Sequence, residues 1–383
     1  MVKKRSILHV VNISFVLPYF IGEQFNYFSQ AGYELHVACT PSLHLKNYAK
    51  EKNIQTLEIP ITRQIRLFKD FYAIYKLIQY IKLNNIDIVI GHTPKGGLLA
   101  MLSAFITRKR VRIYFRHGLM YETSKGLKKY FLILIEKLTG ILANKVICVS
   151  QSVLNESNNK NLSRISKNIL LANGTCNGVD TLNKFNINKI DTEQIIQLRK
   201  SLNIKSDDLI LGYVGRMVKD KGIIELLDSW EILKYKYPRL KLLLVGPFEE
   251  RDSISDTYKN IIQSDSAILY LGQSEETNIY YAIIDVFLLL SHREGFPTVV
   301  LEASSMGIPI VTTKCTGCID SIIPGNTGLF TDLNINSIVN NVSIYIDNSS
   351  LRKKHGENGR YFVINNFQQE IVWEALKNVI EKF

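Results

Sequence analysis

Two glutamates frame the run Glu294-Gly295-Phe296-Pro297-Thr298-Val299-Val300-Leu301-Glu302. It follows an apolar stretch at Asp285–Leu290 and leads into a helical pattern over Thr298–Met306. A glycine-containing loop at a helix N-terminus offers free backbone N–H groups and the positive end of the helix dipole. That combination suits a phosphate or diphosphate. Glu294 falls in the loop and Glu302 about two turns into the helix. Both can face a bound ligand, one nearer a sugar and one nearer a ribose, because a carboxylate accepts two hydrogen bonds in one plane. A second run, Gly215-Arg216-Met217-Val218-Lys219-Asp220-Lys221-Gly222, follows the strand pattern Leu209–Val214 and opens the helical pattern Gly222–Tyr237. Arg216 and Lys221 are cations at the C-terminal end of a strand, able to neutralise a diphosphate leaving group as charge develops on it.

These loops need a scaffold, and the chain supplies one twice. Strand patterns at Ile7–Val11, Glu34–Ala38, Thr56–Ile59, Ile86–Ile90, Val111–Phe115 and Lys145–Val149 alternate with helical ones at Phe20–Ala31, Leu67–Leu83, Gly96–Thr107 and Lys128–Ala143. Short buried strands between amphipathic helices predict a parallel sheet covered on both faces. The segment 174–206 is rich in Asn, Lys and Asp and reads as a crossing between domains. Alternation resumes at Leu209–Val214, Lys241–Val245, Ile268–Leu271, Asp285–Leu290 and Ile308–Thr312, and the chain ends in helical patterns at Ser350–Asn365 and Gln369–Phe383. The expected layout is an α/β chain of two Rossmann-like domains, 1–180 and 181–364. A terminal helix, 365–383, is expected to return to the first domain. Ligands bind such sheets beyond the strand C-termini, so a cleft is expected there.

Composition narrows the function classes. The 383 residues are 46% hydrophobic and 21% charged, a globular balance. No stretch of about 18 apolar residues predicts a membrane span. The run Ile7–Val11 behind Val2-Lys3-Lys4-Arg5 is short and interrupted by His9, unlike a secretory leader. Five scattered cysteines fit a reducing cytoplasm, and Cys315-x-x-Cys318 reads as two small residues in a turn. The net charge of +12 is concentrated: Arg63 to Lys145 holds 16 Lys/Arg against 4 Asp/Glu. Such a field favours an anionic membrane surface or a diphosphate-bearing substrate. No recognisable nucleic-acid module accompanies it. Lys128, Lys129 and Lys137 lie among apolar residues of the helical pattern 125–143, a basic amphipathic helix suited to lying on anionic lipid or to packing inward.

Gly-Arg-x-x-x-x-Lys-Gly followed by Glu-Gly-x-Pro-x-x-x-x-Glu resembles the retaining GT-B glycosyltransferases of family 4. Within them the chain resembles bacterial enzymes that extend undecaprenyl-diphosphate-linked glycans for capsule, O-antigen or glycoproteins. The resemblance implies that Arg216 and Lys221, with Gly215 before them, contact the donor diphosphate. Glu294 would contact the transferred sugar. The backbone of Gly295, Phe296, Pro297 and Thr298 would lie along sugar and phosphate, and Glu302 would contact the ribose. Gly272, in Leu271-Gly272-Gln273, would flank the base. His117, in Arg116-His117-Gly118, matches the family histidine near the reactive carbon, although a histidine in isolation is more often structural.

The chain departs from the family in the stretch Asn12–Gly22, which lacks the usual Gly pair after the first strand. Phe15 and Tyr19, with Phe20, are expected either to face the acceptor or to pack in the core. His92 and Lys95, in His92-Thr93-Pro94-Lys95-Gly96-Gly97, are candidates to face an acceptor diphosphate.

The implied reaction moves a sugar, an N-acetylhexosamine or hexose, from a UDP-sugar to a lipid-linked or glycan acceptor with retention. The resemblance implies no cofactor, and with no Asp-x-Asp triplet, no metal is expected. The implied location is cytoplasmic, peripheral on the inner face of the cytoplasmic membrane. The alternatives are a non-catalytic nucleotide-sugar-binding subunit and a sugar-nucleotide epimerase.

Overall fold

Runs of Val, Ile and Leu buried on both faces build two all-parallel sheets, in keeping with strands covered by helices on each side. The computed structural model describes residues 4–383 apart from 63 and 65, so Val2 and Lys3 of the N-terminal run and Arg63 of the basic segment lie outside the described residues. The chain forms two units, Met1–Gly178 with Gln369–Phe383, and Val179–Gln368.

In the first unit the strands are β1 (Ser6–Val10), β2 (Glu34–Cys39), β3 (Gln55–Glu58), β4 (Ile88–His92), β5 (Val111–Arg116), β6 (Lys145–Cys148) and β7 (Asn168–Leu170), ordered β3-β2-β1-β4-β5-β6-β7. In the second they are β8 (Leu209–Val214), β9 (Leu240–Val245), β10 (Ile268–Tyr270), β11 (Val286–Leu289), β12 (Ile310–Thr313) and β13 (Gly328–Thr331), ordered β10-β9-β8-β11-β12-β13. The winding direction reverses between β1 and β4, and again between β8 and β11. Loops leaving the two strands diverge there and open a crevice.

Helices cover both sheets. In the second unit Ile223–Lys236 buries Ile223, Leu226, Leu227, Trp230 and Leu233, and the indole N–H of Trp230 donates to Asp265 Oδ2 at 3.0 Å. The terminal helix Gln369–Glu381 buries Val372, Trp373, Leu376 and Ile380. It packs on the helix Gln24–Gln30, with the Tyr27 and Trp373 rings 5.6 Å apart. Trp373 Nε1 donates to Asn177 Oδ1 at 2.8 Å.

Several elements differ from expectation. The first helical stretch divides into a turn of helix at Leu17–Phe20 and the helix Gln24–Gln30, because the chain turns at 21–23. The crossing segment contains a helix, Thr192–Ser201, started by the Asp191 side chain accepting from the Glu193 N–H. It buries none of its residues and so shows no apolar face. The helix preceding Phe367 runs Ser349–Asn366, so the returning segment starts at Gln369 rather than 365.

Candidate functional site

In the second unit the two sequence runs meet at the β8/β11 reversal. The chain leaves β8 through Gly215 and Arg216, passes a 3-10 turn at Lys219–Lys221, and enters the helix Ile223–Lys236 at Gly222. Gly222 has φ +71°, and a Cβ there would lie 2.0 Å from the Leu290 carbonyl oxygen, so only glycine lets this loop close onto the end of β11. The Lys221 ammonium pairs with Glu294 Oε1, which also accepts from Ser291 Oγ at 2.7 Å. Arg216, partly exposed, pairs with Glu249 Oε2 at 2.7 Å, and its carbonyl accepts from the Tyr213 hydroxyl at 2.8 Å.

Further pairs tie the same two loops together. Arg293 donates to Asp220 Oδ2 at 2.7 Å, His292 Nε2 lies 2.7 Å from Glu225 Oε1, and the His292 N–H donates to the Asp220 carbonyl at 2.9 Å. Sequence reasoning missed Asp220, Glu225, His292 and Arg293. Alternating charges in both loops were the only signal, and one sequence does not say which charge meets which.

The glutamate loop rests on the 314–318 turn. Glu294 N–H donates to the Thr316 carbonyl at 3.1 Å, and a Cβ on Gly317 would approach the Gly295 oxygen to 2.5 Å. Cys315 and Cys318 sit in this turn as free thiols. Phe296 turns inward against Phe367, with ring centroids 5.3 Å apart, so the backbone of Gly295–Pro297 is what remains for a ligand. Pro297 is the N-cap of the helix Thr298–Ser305 and makes no side-chain cap; the Val300 N–H donates to the Pro297 carbonyl at 3.0 Å, which leaves the Thr298 and Val299 N–H groups at the helix start to meet an anion. Glu302, on that helix, accepts from the Tyr281 hydroxyl at 2.9 Å. Burial pushes its carboxyl above the ordinary carboxylate range, against the Tyr281 hydrogen bond and the nearby Lys184 charge. Gly272 follows β10 with φ +64°, and its carbonyl accepts from Gly246 N–H at 2.6 Å.

In the first unit the β1/β4 reversal carries histidines. His9 Nδ1 is 3.0 Å from His92 Nε2, and His92 Nδ1 is 2.9 Å from His117 Nε2. The Phe20 ring lies flat on His117, with centroids 3.8 Å apart and planes 9° apart. His92 is 1% exposed, with both nitrogens engaged. It therefore does not face an acceptor, which corrects the expectation for it. Lys95 is likewise turned away: its ammonium is 2.6 Å from Asp70 Oδ1 and also contacts Thr62 Oγ1 and the Gln64 carbonyl. Its charge is thus neutralised locally. Arg116, next to His117, is fully buried and pairs with Glu136 Oε2 at 2.8 Å. Phe15 and Tyr19 face each other at 5.4 Å, with Tyr19 46% exposed. Among the described residues no group of three or more His, Cys, Asp or Glu is placed to hold a metal ion, and no helix is long and apolar enough to cross a membrane.

Residues 194–362 match the family described as glycosyl transferases group 1, and residues 7–150 match glycosyl transferase 4-like. Along its whole length the chain is 34% identical, over 383 residues, to the capsular polysaccharide biosynthesis glycosyltransferase CapM of Staphylococcus aureus, covering 98% of that protein. The chain belongs to the group 1 glycosyltransferases.

A second relative of this glycosyltransferase is the UDP-Gal:alpha-D-GlcNAc-diphosphoundecaprenol alpha-1,3-galactosyltransferase of Escherichia coli. It is 24% identical over 351 residues, 90% of this chain and 88% of that one. Among solved structures, Anabaena HepE in complex with UDP-glucose superposes with a TM-score of 0.82 at 17% identity, over 99% of this chain and 100% of that one. That likeness shows the fold, the two-domain GT-B architecture expected above.

Proposed function

We propose that this glycosyltransferase moves a sugar from a UDP-sugar, with retention and without a metal, to an undecaprenyl-diphosphate-linked or other glycan acceptor in cell-surface polysaccharide synthesis. The observation that carries the reading is the Lys221–Glu294 pair at the β8/β11 reversal, next to the open N-terminus of the helix Thr298–Ser305. Lys221 and Arg216 meet the donor diphosphate, exchanging part of their carboxylate contacts for phosphate oxygens. Glu294 then holds the sugar hydroxyls, and Glu302 takes the ribose. The bond from the anomeric carbon to the diphosphate breaks while the acceptor oxygen bonds the same face. The acceptor proton passes to the departing diphosphate. Arg216, Lys221 and the helix N-terminus stabilise the charge that develops there. His117 presents its imidazole to the sugar near the reactive carbon. The lipid-linked acceptor is supported by the Escherichia coli relative, a galactosyltransferase acting on alpha-D-GlcNAc-diphosphoundecaprenol.

Exposed apolar side chains on two helices of the first unit support a membrane-surface location within this reading. On the helix Gly126–Leu142 the inward face carries Glu136, Thr139 and Gly140, whereas Leu127, Tyr130, Phe131, Leu134, Leu138 and Ile141 are exposed. The helix Leu67–Leu83 exposes Phe68, Phe71, Tyr72 and Tyr75 in the same manner, and both helices pack against Pro94–Ile106. Outward apolar stripes beside exposed Lys125 and Lys128 suit the interface of an anionic bilayer, on the inner leaflet where such acceptors would be met.

The test is nucleotide release from a panel of UDP- and GDP-sugars in EDTA, with and without lipid-linked acceptor extract. Acceptor-dependent UDP release in EDTA is the expected result. Release only after a divalent cation is added, or only from GDP-sugars, would overturn the corresponding part of the reading.

A further inference from the structure

The three histidines come from distant parts of the chain, and the sheet register explains how they meet. His9 on β1 is paired with Ile90 on β4, and His92 lies two residues further along that strand. His92 in turn is paired with Phe115 on β5, and His117 lies two residues beyond it. Paired residues of a parallel sheet share a face, as do residues two apart on one strand. The three imidazoles therefore step diagonally across one face of the sheet, from its interior toward the strand ends where the chain turns at Gly118.

Hydrogen-bond counting then restricts their protons. A neutral imidazole has one N–H donor and one bare acceptor nitrogen. His92 uses both nitrogens, so it donates to one neighbour and accepts from the other. If His92 donates from Nδ1 to His117, then His117 carries its proton on Nδ1, and His9 must donate from its own Nδ1. If His92 donates from Nε2, all three protons lie on Nε2. Only these two neutral arrangements satisfy both bonds, and in each the rings share one tautomer. Burial holds His9 and His117 down at about 3, and pushes His92 well below its ordinary value with help from its neighbours, so the array is uncharged at neutral pH. His117 is the half-buried end. Its Nε2 is engaged and one ring face is covered by Phe20.

We propose that His92, backed by His9, is a positioning residue that locks the tautomer of His117 to its own and holds the His117 ring in one orientation. This rests on the reading in which His117 faces the transferred sugar. The array also explains why a polar residue sits at position 92 in an otherwise apolar strand end: it acts through His117 and touches no ligand itself.

The primary test needs no substitution. In the full-length, ligand-free protein labelled with 15N at histidine, long-range 1H–15N correlation reports the protonated nitrogen of each ring. His9, His92 and His117 are expected to share a tautomer, and different tautomers on His92 and His117 would overturn the array. His92→Leu is then expected to leave His117 as a tautomer mixture and to lower kcat about 10-fold with KM little changed, the scale of losing one net hydrogen bond in the transition state. His92→Asn keeps a polar atom near the Nδ1 position and is expected to restore most of the kcat. A shared tautomer in the parent protein together with undiminished kcat in His92→Leu would overturn the positioning role. Should His92→Leu fail to fold, the parent spectra and the kcat of His92→Asn still decide. Failure of the donor reading is visible separately, as absent nucleotide release by the parent enzyme.

Discussion

Replacing Lys221 by methionine keeps the length of the side chain and removes its charge. The ammonium and the Glu294 carboxylate it meets are 20% and 11% exposed, so the pair is largely but not fully withdrawn from water. Without Lys221, Glu294 keeps Ser291 Oγ and the Thr316 contact of its own backbone, but no cation at Oε1. A hydrogen bond to a charged group contributes about 1.5–3 kcal/mol. At about 2–4 °C per kcal/mol for a domain of this size, the melting temperature of Lys221→Met should fall by roughly 3–12 °C. Adding Glu294→Gln should return part of that loss, because the orphaned carboxylate is then gone. Affinity for UDP should fall roughly 10- to 100-fold, since 1.4 kcal/mol is tenfold and a phosphate oxygen takes the carboxylate's place at the ammonium. Thermal unfolding and calorimetric titration with UDP read both effects on the same samples. A variant that melts and binds UDP like the parent would refute the assignment of Lys221 to both the pair and the diphosphate.

Three further perturbations probe each unit separately. Burial raises the Glu302 pKa in the folded chain, so its ionisation costs stability as pH rises from the ordinary carboxylate value through the raised one. Glu302→Gln should flatten that decline in a series of melting temperatures against pH, while weakening nucleotide binding about 10-fold; an unchanged pH profile would contradict the burial argument. Phe20→Ala uncovers one face of His117, and a stacking contact of about 0.5–1.5 kcal/mol predicts a 2- to 10-fold lower kcat/KM in the nucleotide-release assay. Changing Lys125, Lys128 and Lys129 to Gln should lower partitioning onto anionic vesicles by about 1 kcal/mol per charge, read by co-sedimentation at physiological salt; equal binding would remove these lysines from the membrane face.

Much of the architecture was legible because buried parallel strands are written as short runs of Val, Ile and Leu. Ser6–Val10 and Leu209–Val214 stand out for that reason. β7 did not, since Asn168–Leu170 is short, only half-buried and at the sheet edge. The helix Thr192–Ser201 was hidden because it has no buried face to imprint a period. The Arg216–Lys221 and Glu294–Glu302 runs were readable because strand, glycine loop and helix are consecutive in sequence. Their pairing was not, since Lys221 and Glu294 lie 73 residues apart and meet only through the β8/β11 register. His92 and Lys95 misled for a related reason. A polar residue at a strand end looks available until the neighbouring strand and helix supply His9, His117 and Asp70 as partners.

The return of Gln369–Phe383 to the first unit sets an order of events on the ribosome. Val179–Gln368 is one uninterrupted stretch, so every strand of the second sheet has been synthesised before the first unit has all its parts. Trp373 meets Asn177, which lies 196 positions earlier in the sequence. Until it emerges, the helix Gln24–Gln30 lacks the cover that Trp373 gives Tyr27. That helix also carries Phe25, whose ring edges against His9 at 5.5 Å. The histidine face of the first sheet therefore receives its backing last. A nascent chain, or one clipped ahead of Gln369, would hold the whole second sheet while the histidine face of the first still waits for its final helix.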